Sequence, residues 1–151
     1  MFKGTSFHTL DEKGRLAIPN KLRNLIEKTG DAEVLIVTQG FEGCLLAYPA
    51  SSWRDIEKKA EEFNKLSLTN RTARYFIRFF IEPAADCTLD KLGRIMLPQN
   101  LREYAKIKKE VVVSGSVDKI EIWAREEWEK FNKTLLQKEN EFVEELKNIG
   151  L

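Results

Sequence analysis

The stretch DEKGRLAIP, Asp11 to Pro19, returns as DKLGRIMLP, Asp90 to Pro98, with Asp, Gly, Arg and Pro held in place and the other positions free. From Asp11 to Asp90 is a step of 79 positions, and the same step carries Leu10 to Leu89, Leu22 to Leu101 and Arg23 to Arg102. Single residues occur at a few per cent, so a given start matches all four fixed positions by chance with odds on the order of one in 10^5. The phrase is an internal repeat.

The copies stay parallel after a small gap, where EVLIVTQGFEGCLLAYPASSW (Glu33 to Trp53) answers EVVVSGSVDKIEIWAREEW (Glu110 to Trp128). Each reads as an apolar strand, a Gly-containing turn, a second strand and a helix opening near a Trp. A unit that occurs only twice is a duplicated small domain and not a solenoid. The chain has 151 residues, close to one average domain or two very small ones, so interlocked halves are the expected arrangement.

Within each phrase the pattern predicts a strand, a tight turn at the Gly, a second strand and a helix that starts just after Pro19 or Pro98. Proline at a helix start forfeits no hydrogen bond. Gly30 is expected as a helix C-cap. Between the copies, helices are expected from Ser52, as N-cap, to about Leu66 and from Thr69 to about Ile81. The second carries Arg71, Arg74 and Arg78 on one stripe, read first as a solvated face, with Phe76, Phe79 and Phe80 facing away. After Trp128, the spacing of Phe131, Leu135, Phe142 and Leu146 predicts a C-terminal helix whose apolar stripe packs on the body or on a neighbour.

The composition, 42% hydrophobic and 32% charged, is that of a folded, charge-rich protein. No apolar run reaches the roughly 20 residues of a membrane span and no secretory signal opens the chain, so a cytoplasmic location is expected. Two cysteines, Cys44 and Cys87, are too few for a disulfide scaffold and read as reduced, buried packing residues. The net charge of +1 conceals segregation. Residues 1–23 hold five basic groups against two acids, for +3; residues 87–109 hold six against two, for +4; residues 121–151 hold five against eight glutamates, for −3. Both phrases sit in basic surroundings, which makes a local positive field.

The glycines Gly14 and Gly93 allow positive φ, and Asp11 and Asp90, three residues earlier, can bond the turn's own amides. Lys13 or Lys91 and Arg15 or Arg94 then project from a rigid turn, with Arg23 or Arg102 near the start of the next helix. Guanidinium groups so held suit phosphate oxygens or the O6 and N7 edge of guanine. The alternative is that Arg15 and Arg94 merely pair with Asp11 and Asp90 or with the other copy. Two equal basic turns favour a partner with regularly spaced negative charge, namely double-stranded DNA.

The phrase D-x-x-G-R-x-x-x-P followed by a helix carrying Leu-Arg resembles the SpoVT/AbrB-type swapped-hairpin DNA-binding domain. Two copies in one chain, with RYFIRFFIEPAADCTLDKLGRIMLPQNLREYA between and through them, resemble the MraZ family over essentially the whole length. The resemblance implies an α+β fold of two interleaved swapped-hairpin (AbrB/MazE/MraZ-like) β-barrel halves, decorated with helices and ending in a C-terminal helix. Its division is residues 1–66 as the first repeat, 67–82 as a connecting helix and 83–151 as the second repeat with the C-terminal helix.

By the same resemblance the chain is a sequence-specific DNA-binding regulator, a repressor of the division and cell-wall gene cluster that includes its own promoter. It would bind short direct repeats as a ring-shaped homo-oligomer, cytoplasmic and nucleoid-associated. The DNA contacts carry over to Arg15, Arg23, Arg94 and Arg102, joined by Lys3, Lys13 and Lys91, with Asp11, Gly14, Asp90 and Gly93 shaping the turns. Some relatives place a basic residue just before the phrase where this chain has His8 and Cys87, so no contact is assigned there.

Catalysis finds little support. His8 is the only histidine and reads as structural, Asp11 and Asp90 are explained by their own turns rather than as a catalytic dyad, and the cysteines make no metal-ligand spacing. No cofactor, metal, small-molecule substrate or membrane partner is expected. The second reading is an antitoxin-type module that binds DNA and a protein partner, against which the patterned tail argues, since such tails are usually flexible.

Overall fold

The computed structural model describes residues 1–30 and 33–151. In the first copy, β1 (Thr5–Thr9), β2 (Arg15–Ala17) and α1 (Asn20–Lys28) lead into the hairpin β3 (Val34–Gln39) and β4 (Leu45–Pro49) and the helix α2 (Ala50–Leu66). After α3 (Arg71–Phe76) the second copy repeats the order with β5 (Ala85–Thr88), β6 (Arg94–Met96), α4 (Gln99–Tyr104), β7 (Glu110–Ser116), β8 (Lys119–Ala124) and α5 (Arg125–Gln137). A last helix, α6 (Glu139–Asn148), follows.

The copies are interleaved. One antiparallel sheet has the order β1-β7-β8-β4-β3-β5, and a separate ribbon pairs β2 with β6. The first strand of each copy therefore pairs with the hairpin of the other: His8 opposes Val111, and Cys87 opposes Leu35. The ladders are related by a pseudo-twofold that passes between Leu16 and Ile95 in the ribbon and between Leu46 and Glu121 where β4 meets β8. Among the described residues β1 and β5 are edge strands and no ladder closes the six-stranded sheet, so the β architecture is an open sheet plus a ribbon.

Both sheet faces are covered, which explains apolar runs where a half-buried strand would alternate. Side chains of a strand point alternately to its two faces. Leu35 and Val37 of β3, with Val111 and Val113 of β7, enter one core with Leu16, Ile95, Leu22 and Leu101. Ile36 and Val112 enter a second core with Tyr48, Trp53, Phe80 and Trp123. The buried Thr38 is satisfied by donating its hydroxyl to Phe80 O at 2.5 Å.

Several local expectations need correction. Pro19, Pro49 and Pro98 stand just before α1, α2 and α4 with φ near −57°, so α2 begins at Ala50 and Ser52 lies inside its first turn. The strand runs directly into the proline, leaving no room for a separate cap. The segment after α2 starts at Asn70, whose Oδ1 accepts from Ala73 N at 3.0 Å, and after Phe76 it widens into a π-helical turn, Ile77–Ile81. The extra residue per turn lets three phenylalanines reach the body. Phe76 stacks on Phe80 at 5.2 Å, Phe80 on Trp53 at 5.9 Å, and Phe79 on Phe41 at 5.5 Å. The expected single C-terminal helix is broken at Lys138. Phe131 stacks on Trp123 at 5.3 Å, but Leu135, Phe142 and Val143 are exposed.

Leu16 and Ile95 face each other across the ribbon and are fully buried. Replacing Ile95 by Ala should cost about 2–5 kcal/mol of stability, read by urea denaturation, whereas Leu136→Ala on the exposed tail should cost no more than about 0.5 kcal/mol.

Candidate nucleic-acid interface

The two repeated turns are superposable in their bonds. Asp11 Oδ1 accepts from the amides of Lys13 and Arg15, both at 2.9 Å, and Oδ2 accepts from Arg15 Nε at 2.6 Å. Asp90 does the same with Leu92 N and Arg94 N at 2.9 Å and with Arg94 Nε at 2.8 Å. Gly14 N and Gly93 N close the turns onto Asp11 O and Asp90 O at 3.0 and 2.9 Å. Both glycines have positive φ, 79° and 72°, a conformation in which an added Cβ is strained.

The turns lock across the pseudo-twofold. Ile18 N donates to Gly93 O at 2.9 Å and Leu97 N to Gly14 O at 3.0 Å. Arg23 lies against Gly93, where an added Cβ would collide with its guanidinium, and Arg102 lies against Gly14, where a Cβ would come to 3.0 Å. Each helix arginine thus packs on the turn of the other copy. Arg15 and Arg94 on the ribbon and Arg23 and Arg102 on its two turns are thereby gathered around the β2–β6 pair.

The ion pairs anticipated as the alternative for Arg15 and Arg94 are present. Each is clamped by its Nε to the turn aspartate, and Arg94 Nη1 also lies 3.8 Å from Asp11 Oδ2. The clamp uses one edge of the guanidinium, and the side chains are still 31% and 28% exposed. With Leu16 and Ile95 pointing into the core, Arg15, Ala17, Arg94 and Met96 form the outer face, as the pairs Arg15–Met96 and Ala17–Arg94. Clamping holds the terminal nitrogens in a fixed pose, as bidentate recognition requires.

The lysines are less equivalent than their roles in the repeat anticipate. The third residue of the first turn, Lys13, corresponds to Leu92 in the second, and Lys91 corresponds to Glu12. Lys13 and Lys91 are exposed beside the ribbon. Lys3 lies at the other end of β1, near Gly115 and between the bridge Phe2–Val117 and the start of the strand, so the structure does not bring it to the turns. Sequence reading passed over Leu92 and Met96, which are 68% and 57% exposed; the period-two alternation around Ile95 was the available signal for Met96.

The remaining candidates for chemistry are held in structural roles. Burial pushes the Cys44 thiol up to about 12, with the Glu121 charge adding, and burial followed by the Asp86 charge pushes Cys87 up to about 11. Both thiols are therefore protonated at neutral pH and poor nucleophiles. His8 Nε2 is 2.7 Å from Ser6 Oγ, and partial burial lowers its pKa. Among the described residues no cluster of three metal-ligating side chains occurs, and no helix is long and apolar enough to cross a membrane.

Fold and site together define a two-copy protein whose halves exchange strands and carry matching basic turns on one shared ribbon. The family described as "MraZ protein, putative antitoxin-like" matches residues 1–79 and again residues 80–148. The chain is 42% identical to the transcriptional regulator MraZ of Clostridium acetobutylicum over the whole of both chains. It is 46% identical to that of Desulforamulus reducens over 132 residues, 87% of each chain, and 44% identical to that of Lactiplantibacillus plantarum over 131 residues, again 87% of each. The chain belongs to the MraZ family.

The Arg15 amide bonded to its carboxylate holds Asp11 below the usual carboxylate range, against a desolvation that raises it, and the Arg94 amide does the same for Asp90. A depressed carboxylate stabilises the fold at pH values above its ordinary pKa, and that contribution is lost as pH falls through the lower, folded value. The Gly14 and Gly93 amides should therefore stay protected from hydrogen exchange at pH 5 and lose protection only below about pH 4. In a separate comparison, Gly93→Ala should lower the unfolding midpoint more than Gly14→Ala, because the Arg23 guanidinium is nearer to the new Cβ than Arg102 is at the other turn.

Proposed function

We propose that the chain is a sequence-specific DNA-binding transcriptional regulator, a repressor at the promoter of the division and cell-wall gene cluster that includes its own gene. The observation that carries this reading is the outer face of the β2–β6 ribbon, where two clamped arginines of opposite copies, Arg15 and Arg94, lie diagonally across the ladder, each next to its own rigid turn. A two-stranded ribbon has the dimensions that the major groove admits, and arginine is the side chain suited to guanine O6 and N7. Arg23 and Arg102 flank the ribbon as phosphate contacts, with Lys13 and Lys91 adding charge. That its relatives are transcriptional regulators supports a regulatory role. In this reading residues 1–66 and 83–151 are two swapped-hairpin halves, joined through 67–82, that together build one DNA-reading unit, and the protein works as a cytoplasmic, nucleoid-associated binder without catalysis.

Several units would act together as a closed ring on short direct repeats. Support comes from two complementary apolar surfaces that the chain leaves uncovered. Phe41, Tyr75, Phe76 and Phe79 line an apolar groove next to Arg78, and Leu135, Phe142 and Val143 lie exposed on α5 and on α6, a helix with Glu139 and Glu141 in its first turn. Docking α6 of one copy into the groove of the next is a head-to-tail contact, the kind that builds a ring when the rotation from copy to copy closes. Weak turn-by-turn binding then adds up over successive repeats. The exposed tail also supports a second reading, in which it holds a different protein in the manner of an antitoxin; native mass spectrometry giving a small dimer instead of a large homo-oligomer would favour that one.

The decisive experiment is a gel-shift titration on the DNA upstream of the chain's own gene against scrambled DNA of equal length at about 150 mM salt. The double variant Arg15→Ala, Arg94→Ala should lose on the order of 100-fold in affinity for the upstream DNA with its oligomer unchanged, since Oδ1 of each aspartate still caps its turn. Equal binding of both DNAs by the wild type would overturn sequence-specific regulation.

A further inference from the structure

The backbone of the ribbon is two-fold symmetric, but its outer face is not. A symmetric reader presents identical contacts to two inverted half-sites, and its operator mirrors that symmetry. Here the ladder, the aspartate caps and the crossed bonds from Ile18 to Gly93 and from Leu97 to Gly14 all obey the pseudo-twofold. The side chains on that frame break it at two exposed places. Lys13 of the first turn is replaced by Leu92 in the second, and Ala17, beside Arg94, is replaced by Met96, beside Arg15.

The flanking helix arginines break it as well. Arg102 donates its Nε to Leu97 O at 3.0 Å. The corresponding Nε of Arg23 is buried without a partner, and its Nη2 bonds Asn20 instead. The counterpart of Asn20, Gln99, turns to Glu103 at 3.0 Å. The two halves therefore meet a ligand with different chemistry: a lysine-bearing turn on one side, and a turn and strand carrying two large exposed apolar side chains on the other.

We propose that the ribbon reads a non-palindromic DNA sequence whose orientation is set by Leu92 and Met96, which contact thymine methyl groups next to the guanines read by Arg94 and Arg15. The thymine C5-methyl is the one apolar group on a base edge in the major groove, and aliphatic side chains are its complement. Leu92 is 68% exposed in the second turn and Met96 57% exposed on the outer face beside Arg15, so neither has a covering within the chain, and the basic surroundings fit a polyanion carrying methyl groups. The orientation rests on the DNA-binding reading above and adds to it which residues distinguish one strand direction from the other.

The test first footprints the wild type on the DNA upstream of its gene, then measures anisotropy titrations on the footprinted site, on two versions made palindromic from either half, and on sites with single thymine-to-uracil changes, which remove only the methyl. Wild type should prefer the natural site over both palindromes, and uracil at one thymine beside each contacted guanine should weaken it roughly 3- to 5-fold. Met96→Ala and Leu92→Ala, both at exposed positions, should each abolish the response to one of those uracils and leave the other intact. Equal affinity for natural and palindromic sites, or uracil responses that persist in both variants, would overturn the inference while leaving DNA binding standing. A changed native mass in the variants with no change in the uracil response would overturn it in favour of a contact between copies. Absence of any footprint would overturn the DNA-binding reading itself.

Discussion

The short ladder in which Arg15–Ala17 pairs with Arg94–Met96 is the constraint on which the rest of the molecule depends. It brings Leu16 and Ile95, one from each copy, to the centre of the main core, and it fixes the two turns at opposite ends of one ribbon. From each turn the chain can only leave along β1 or β5, and these strands are committed to the hairpin of the other copy. Neither half completes its own sheet. Interleaving thus buries the apolar faces of two units that are each too small to cover a core of their own.

The same ladder makes the basic face. An exposed arginine on a flexible loop loses rotamer freedom when it binds a ligand. Here the aspartate of each turn uses one oxygen to cap two amides and the other to hold the guanidinium by its Nε. The ordering is done in the folded chain. Each carboxylate offsets the charge of the arginine it clamps, but Arg23, Arg102, Lys13 and Lys91 leave the turns a positive surplus, and the largest single share of the opposing charge, −3, lies in residues 121–151.

Duplication within one chain has a consequence that a symmetric dimer of identical chains lacks: the two halves of the reading surface are free to differ. Positions that shape the backbone, Asp11, Gly14, Asp90 and Gly93, are the same in both copies. Positions that only face outward differ, as Lys13 and Leu92 or Ala17 and Met96 do. Symmetry is kept where the fold needs it and broken where side chains meet the surroundings.

Much of this was legible in the sequence. The repeated phrase located both turns and named their aspartates, glycines and arginines, since a tight turn with positive φ and an amide cap is specified by residues within a few positions of one another. The paired apolar strands and the helix starts after proline were legible for the same reason. What only the tertiary structure decided depends on distant partners. The exchange of β1 and β5 is invisible to local pattern, because a strand's period says which face is apolar and not which neighbour it pairs with. The π-helical turn at Ile77–Ile81 follows from fitting Phe76, Phe79 and Phe80 against Trp53 and Phe41, and the packing of Arg23 and Arg102 on the glycines of the opposite copy exists only once the halves interlock. The sequence by itself determined the two turns and their chemistry; long-range pairing decided that they share one ribbon, because the buried Leu16–Ile95 contact and the crossed bonds from Ile18 to Gly93 and from Leu97 to Gly14 form only between copies.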